Sequence, residues 1–446
     1  MEPIILGLSG FALVLVLLAL RVPIAFVLAG VASTGIFLTY ALRGGGFAPD
    51  RAVNPTTSVV MSNFFELIHS YDLSMVPLFI ALGNIAWAAG ITTRIYDAAN
   101  VWLRRVPGGV GMASVLGCGG FSAISGSSIA CASTMGRICV PQMLRMGYDP
   151  RLATASVAAG GTLGSLIPPS VLFILYGIFT ETSISALFMG GVVPGLISLI
   201  GYLAVIWLWV HRDPGAAPQL AQAATGREKM QAALASWPAL MILLVVIGGI
   251  YGGIFTATEA AAVSVTVTAL IGLAQRQLTL AGLWRAIRDS LVQSAAIFLI
   301  AASAKIFVAF IALTGAAGAV VDWVGTLGLG PLALMAAIAV LYLVLGMFLD
   351  PIGIIVLTLP FTVPMVEGAG MDLIWFGVIV VKLLEIGLIT PPVGLNIFVI
   401  GNVVGSRVPL DRIFAGVLRF LAADLVVLAL LILIPPLSTF LPELLR

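Results

Sequence analysis

The sequence predicts an all-α polytopic membrane protein built of two inverted-topology repeats, each with a re-entrant hairpin and a broken transmembrane helix. Three observations predict it. The 446-residue chain is 61% hydrophobic and only 9% charged, whereas soluble domains carry roughly 25% charged residues. Its mean hydropathy is +1.16, and apolar runs of about 20 residues, enough to cross a bilayer, recur from end to end. Third, GTLGSLIPPS (Gly161–Ser170) and GLITPPVGLN (Gly387–Asn396) each set a proline pair inside a long apolar run. Proline removes a backbone donor and disfavours helix just before it. In lipid such a break is tolerated only where the freed backbone faces protein or a wet cavity. A membrane β-barrel would alternate over segments of about ten residues, which these continuous runs do not.

Apolar spans are expected over 3–20, 23–42, 73–92, 152–180, 186–210, 238–252, 256–274, 290–313, 373–402 and 413–435. The first run lacks a basic n-region and reads as a span, not a cleaved signal. Stretches 110–143 and 330–365 are apolar but interrupted mid-way. Two amphipathic segments, Ser58–Ser70 and Leu280–Leu291, each precede a span. They read as helices in the interface plane or as the ends of neighbouring spans. The polar segment 211–237 reads as a cytoplasmic linker between a first repeat, 1–210, and a second, 238–446.

The halves align directly. Pro168 and Pro391 are 223 residues apart, and the same offset superposes Pro141 on Pro364, Gly147 on Gly370, Asp149 on Asp372 and Gly164 on Gly387. Lys and Arg set orientation. With the linker in the cytoplasm, fourteen of the twenty-one basic residues fall inside, and only Arg43, Arg51 and Arg446 fall outside. The N-terminus is then outside and the second repeat starts inside, so the repeats are inverted. Stretch 110–143 has Arg104, Arg105, Arg145 and Arg151 at its two ends and returns to the cytoplasm. Stretch 330–365 is followed by Glu367 and Asp372 and returns outside. Both read as re-entrant hairpins.

The first hairpin holds Ser122, Ser125, Gly126, Ser127 and Ser128 where lipid-facing sequence should be apolar. A tip here would present hydroxyls and carbonyls, which are hard ligands for a small alkali cation, and a half-helix N-terminus, which suits a carboxylate. A tight small-residue helix contact is the alternative. Gly161, Thr162, Gly164, Pro168 and Pro169 would unwind the first broken helix; Gly387, Thr390, Pro391, Pro392 and Gly394 would unwind the second. Discontinuous helices at the interface of inverted repeats are the secondary-transporter pattern. The second hairpin carries Gly346, Asp350 and Pro351. Asp350 is an intramembrane acid, a candidate for function by default or for capping alone. Asn396 follows the second break. Lys382 and Glu385, three apart, are expected to pair on one helix face. Lys305 would attract an anion, snorkel or pair.

Cys118, Cys131 and Cys139 show neither a CxxC pair nor metal spacing, and His69 and His211 are isolated, so buried thiols and no transition-metal site are expected. A net charge of +2 gives no sign of nucleic acid. The sequence has no P-loop, HExxH or GxSxG, so an enzyme is not expected.

Several stretches carry a resemblance. SAISGSSIACASTMGRICVPQMLRMGYDPRLATASVAAGGTLGSLIPPSVLFILYG, FTATEAAAV, GMFLDPIGIIVLTLPFTVPMVEGAGMD and EIGLITPPVGLNIFVI resemble the large permease subunit of tripartite ATP-independent periplasmic (TRAP) transporters, within the ion-transporter superfamily. The resemblance covers essentially the whole chain. It implies an elevator-type carrier in which a transport domain moves against a scaffold. It also implies a bacterial inner-membrane location and import of an organic acid, carboxylate or dicarboxylate, driven by a sodium gradient. Substrate would come from a periplasmic binding protein, and a small four-span membrane subunit would be a separate chain. One sodium site would join Ser125, Gly126 and Ser127 to Gly161, Gly164 and Pro168. A second would join Asp350 to Gly387, Thr390 and Pro392. Sodium is the coupling ion, and no cofactor is implied. A proton-coupled or stand-alone carrier of the same architecture is the alternative.

Overall fold

A computed structural model of the protein describes residues 3–43, 46–218 and 224–444. Arg446 and the linker positions 219–223 lie outside the described residues, as does the first residue of the first expected repeat. Among the described residues the secondary structure is helical throughout. By length and composition, 7 helices can cross a membrane, or up to 9 if each of two bent pairs is one span.

In chain order the first half runs α1 (Pro3–Ala19), α2 (Ile24–Ala41), α3 (Pro49–Ile68), α4 (Met75–Ala88), α5 (Ile91–Leu103), α6 (Gly109–Ser125), α7 (Ser128–Arg145), α8 (Pro150–Leu166), α9 (Val171–Thr180) and α10 (Ile184–Arg212). After α11 (Gly226–Ala235), α12 (Trp237–Leu243) and α13 (Gly249–Tyr251) flank a π-helical turn, Leu244–Gly248. Then come α14 (Ala257–Ala274), α15 (Leu280–Thr314), α16 (Ala316–Thr326), α17 (Pro331–Gly346), α18 (Pro351–Gly368), α19 (Leu373–Gly387), α20 (Leu395–Val404), α21 (Leu410–Leu433) and α22 (Pro436–Leu444).

The expected hairpins are α6–α7 and α17–α18, and the expected broken helices are α8–α9 and α19–α20. The 223-residue offset carries α7 onto α18 end for end. It also matches the caps. Asp149 and Asp372 each accept a backbone N–H at the start of a broken helix, from Arg151 and Trp375. Ser127 and Asp350 each cap the second arm of a hairpin, accepting from Ala130 and Gly353. Such caps satisfy donors that the first helical turn leaves unpaired. The Pro168–Pro169 and Pro391–Pro392 peptide bonds are both cis.

The helices sort into two packing groups. In one, α15 packs on α2, α3 and α4, and α14 packs on α4. In the other, α8 packs on α6, α7 and α21, α17 on α19, and α10 on α21 and α22. The groups meet where α4 touches α6 and α9 and where α15 and α16 touch α18.

Of the two readings of the amphipathic segments, Leu280–Leu291 takes the second: it is the first turns of the unbroken 35-residue α15. Its counterpart is separate: α3 and α4 meet at a 58° bend. Two features differ from the sequence reading. The linker is not a bare connection. α11 packs on α5, and the Ser236 hydroxyl donates to the Arg94 carbonyl at 3.3 Å. Helices α5, α16 and α22 were not among the expected elements.

Candidate functional site

The first tip meets the first break at backbone distance. Gly126 turns the hairpin at φ +63°, in the left-handed region that suits glycine. A Cβ there would stand 2.7 Å from the Pro169 carbonyl oxygen. That approach lets the Gly126 carbonyl accept from the N–H of Val171, the first residue beyond the break, at 3.2 Å. Gly164 is equally constrained, since its Cβ would lie 2.6 Å from the backbone N and Cα of Ser128. Pro168 and Pro169 end α8, and the Ser170 hydroxyl restarts the chain by accepting from Phe173 N–H at 3.2 Å.

The serines part ways. Ser128 hydrogen-bonds Ser165 at 2.9 Å and donates to Glu385 Oε1 at 2.6 Å. Ser125 is buried with its hydroxyl unpartnered. Ser122 bonds back to its own helix at the Cys118 carbonyl, 2.6 Å away, and turns from the tip. Thr162 likewise turns away, to the Tyr202 hydroxyl at 2.7 Å.

The second site is built with different contacts. Gly346 and Gly387 pack backbone to backbone, and a Cβ on Gly346 would sit 2.9 Å from the Gly387 Cα. Asp350 Oδ2 accepts from Gly353 N–H at 3.0 Å, with Pro351 at the first helical position, where proline fits. Thr390 donates back to the Ile386 carbonyl at 2.6 Å. Beyond Pro391–Pro392, Gly394 takes φ +59°, and Asn396 N–H reaches back to the Leu388 carbonyl at 3.0 Å. The Asn396 side chain faces the other half instead, donating to the Ala158 carbonyl at 3.3 Å. Glu385 and Asn396 thus bring α19 and α20 onto α7 and α8.

The expected Lys382–Glu385 pair does not form. Lys382 binds Asp424 of α21 at 2.5 Å and Ser198 at 3.0 Å, and Asp424 also accepts from Tyr202 at 2.8 Å. Each member of the ion pair is 1% exposed. Glu385 points to the first tip, where its Oε2 is buried without a partner. Lys305 pairs with Glu66 at 2.5 Å. A cavity of about 390 Å³ opens beside the first tip, between α4 and α15 on one side and the hairpin on the other. A wider cleft of about 1140 Å³ lies among the ends of α3 and α9 and the start of α14 and holds no tip residue. The three cysteines are buried and free.

The family model for the tripartite ATP-independent periplasmic transporter, DctM component, matches residues 11–437. The chain belongs to the TRAP large permease family. It is 34% identical over 380 residues to the C4-dicarboxylate TRAP transporter large permease protein DctM of Pseudomonas aeruginosa, covering 85% of this chain and 88% of that one. It is 32% identical to the sialic acid TRAP transporter large permease protein SiaM of Vibrio cholerae, covering 84% and 87%. It is 33% identical to the isethionate TRAP transporter permease protein DctMQ of Oleidesulfovibrio alaskensis, covering 84% of this chain but 59% of that longer protein. The crystal structure of the Alcanivorax borkumensis YdaH transporter shares the fold, with a TM-score of 0.64 at 13% identity over 97% and 98% of the two chains. These relatives are permeases, and this TRAP large permease is a transporter component, not an enzyme. Sequence reasoning missed Asp424, although an acid inside an apolar span is itself the signal.

Proposed function

We propose that this permease imports an organic acid across the bacterial inner membrane, with sodium as the coupling ion and the N-terminus periplasmic. The observation that carries the reading is the closed contact of each hairpin with its own broken helix, Gly126 and Ser128 on Pro169 and Gly164, and Gly346 on Gly387. The first contact gathers carbonyls and hydroxyls around a half-helix N-terminus, the chemistry that holds a small cation beside a carboxylate, while the second brings the C-terminal ends of α17 and α19 together. The division into inverted repeats at 1–210 and 238–446 belongs to the same reading, as does an elevator motion of the α6–α10 and α17–α22 group against α1–α4 and α12–α15. Relatives named for C4-dicarboxylates, sialic acid and isethionate support an organic anion as cargo. The partners are a small membrane subunit on its own chain and a periplasmic binding protein.

Thermal unfolding of the purified chain with its small subunit tests the sodium part. At constant ionic strength, sodium raises the midpoint and potassium or choline does not, because a ligand of the folded state at a hundred times Kd adds about 2.7 kcal/mol. Gly164→Ala, whose methyl meets the Ser128 backbone, blunts the response. A folded wild-type protein indifferent to sodium overturns sodium coupling and turns attention to Asp350 as a proton site.

A further inference from the structure

We propose that Arg137 binds the anionic group of the transported acid, inside the cavity beside the first tip. The proposal rests on the organic-acid reading above and names the residue that recognises the charge. Arg137 lies mid-way along α7, in the re-entrant hairpin. A basic residue at membrane depth is costly and needs a counterpart. The other three basic residues within apolar stretches have one. Lys305 pairs with Glu66, Lys382 pairs with Asp424, and Arg419 lies 3.6 Å over the Trp209 ring. Arg137 belongs to none of the ion pairs among the described residues. It is exposed and lines the 390 Å³ cavity, a volume in the range of small-molecule sites.

The rest of the wall suits an anion. Ser125, Ser127, Ser133 and Thr134 line the hairpin side, and Asn84 and Gln293 the opposite side, with no acid in the lining. Ser125 is 4% exposed, and its hydroxyl has no partner. Ser127, Ala130, Thr134 and Arg137 recur at helical spacing and form one face of α7. The ten residues from Ser127 to Arg137 span about 15 Å of helix axis. The arginine side chain leans toward the N-terminal end and shortens the gap. A small acid therefore fits with its carboxylate or sulfonate on the guanidinium fork, which matches planar oxyanions in bidentate fashion, and its other polar end at the tip.

The test uses the full chain with its small subunit, carrying Thr134→Cys in the same cavity; the three native cysteines are buried. Anionic sulfonatoethyl and cationic trimethylammoniumethyl methanethiosulfonates are compared. The anionic reagent reacts faster, Arg137→Gln abolishes the preference, and Arg137→Lys keeps it. In proteoliposomes with succinate, isethionate and N-acetylneuraminate as probes, Arg137→Gln raises KM for whichever acid is carried about tenfold or more, as expected for a lost charge-assisted bond. Arg137→Lys recovers part of it, and kcat changes less. An unchanged reagent preference in Arg137→Gln, or an unchanged KM, overturns the proposal. If the wild type carries none of the three acids, the organic-acid reading fails for these probes, and the labelling ratio still decides Arg137. Thermal midpoints of both variants separate loss of binding from loss of fold.

Discussion

At the scale of single residues, the buried charges decide most. Lys382 and Asp424 are sealed together at 2.5 Å, with Tyr202 and Ser198 completing their hydrogen bonds. Breaking such a pair by removing one partner leaves an uncompensated charge and costs about 3–5 kcal/mol, while replacing both by apolar groups is often close to neutral. Asp424→Asn should therefore lower the unfolding midpoint steeply, and Lys382→Met with Asp424→Leu should recover most of it. Equal midpoints for the wild type and Asp424→Asn would show that the pair contributes little. The sequence made Lys382 and Glu385 legible as charges in the membrane but not their partners. The local i, i+3 rule describes isolated helices, where solvent surrounds both side chains. Inside a bundle each side chain is claimed by whichever neighbouring helix brings its counter-group, here α21 for Lys382 and the first tip for Glu385. No spacing within α19 encodes that choice.

At the scale of elements, proline pairs, cap residues and apolar runs carried the hairpins and broken helices, because each acts within a few residues of itself. Helices α5 and α16 escaped for the opposite reason. They are short, and Arg94, Asp97 and Asn100 on the polar face of α5 lower its mean hydropathy, so a hydropathy window passes over it. Their place is fixed by packing, α5 on α6 and α16 on α18. The start of α8 offers a direct test of a cap. Burial pushes the Asp149 carboxyl up, but its hydrogen bonds with the Arg151 side chain and N–H, and the Arg151 charge, outweigh this and hold it below the usual aspartate value. A depressed folded-state value contributes stability that is present above the unfolded value, near 4, and is lost as pH falls through the folded one. The wild type should thus lose midpoint as pH drops below about 4. Asp149→Asn, which keeps a cap of similar strength, should flatten that part of the profile. A profile unchanged by Asp149→Asn would remove Asp149 from the account.

At the scale of the whole molecule, the separation into two packing groups makes their contact the place where the proposed elevator motion would act. That contact runs through α4 with α6 and α9, α12 with α6, and α15 and α16 with α18. Gly83 of α4 abuts the first tip, and a Cβ there would stand 2.9 Å from both the Cα and the Cβ of Ser125. No rotamer change of Ser125 relieves a clash with its own Cα, so the helix and the tip must separate. Gly83→Val should therefore disfavour the arrangement described here without entering either core, since α4 and the hairpin each keep their own packing. The expected result is a folded protein, with a midpoint within a few degrees of the wild type, whose transport is severely reduced. Thr134→Cys, in the cavity behind the same contact, should change its labelling rate in the Gly83→Val background. Transport and labelling that both survive Gly83→Val unchanged would mean that α4 and the hairpin do not move against each other, and the elevator reading would fall with it. A reduced midpoint accompanied by normal labelling would instead make Gly83 a packing residue, placing the moving boundary on the other side of the molecule, where α15 and α16 meet α18.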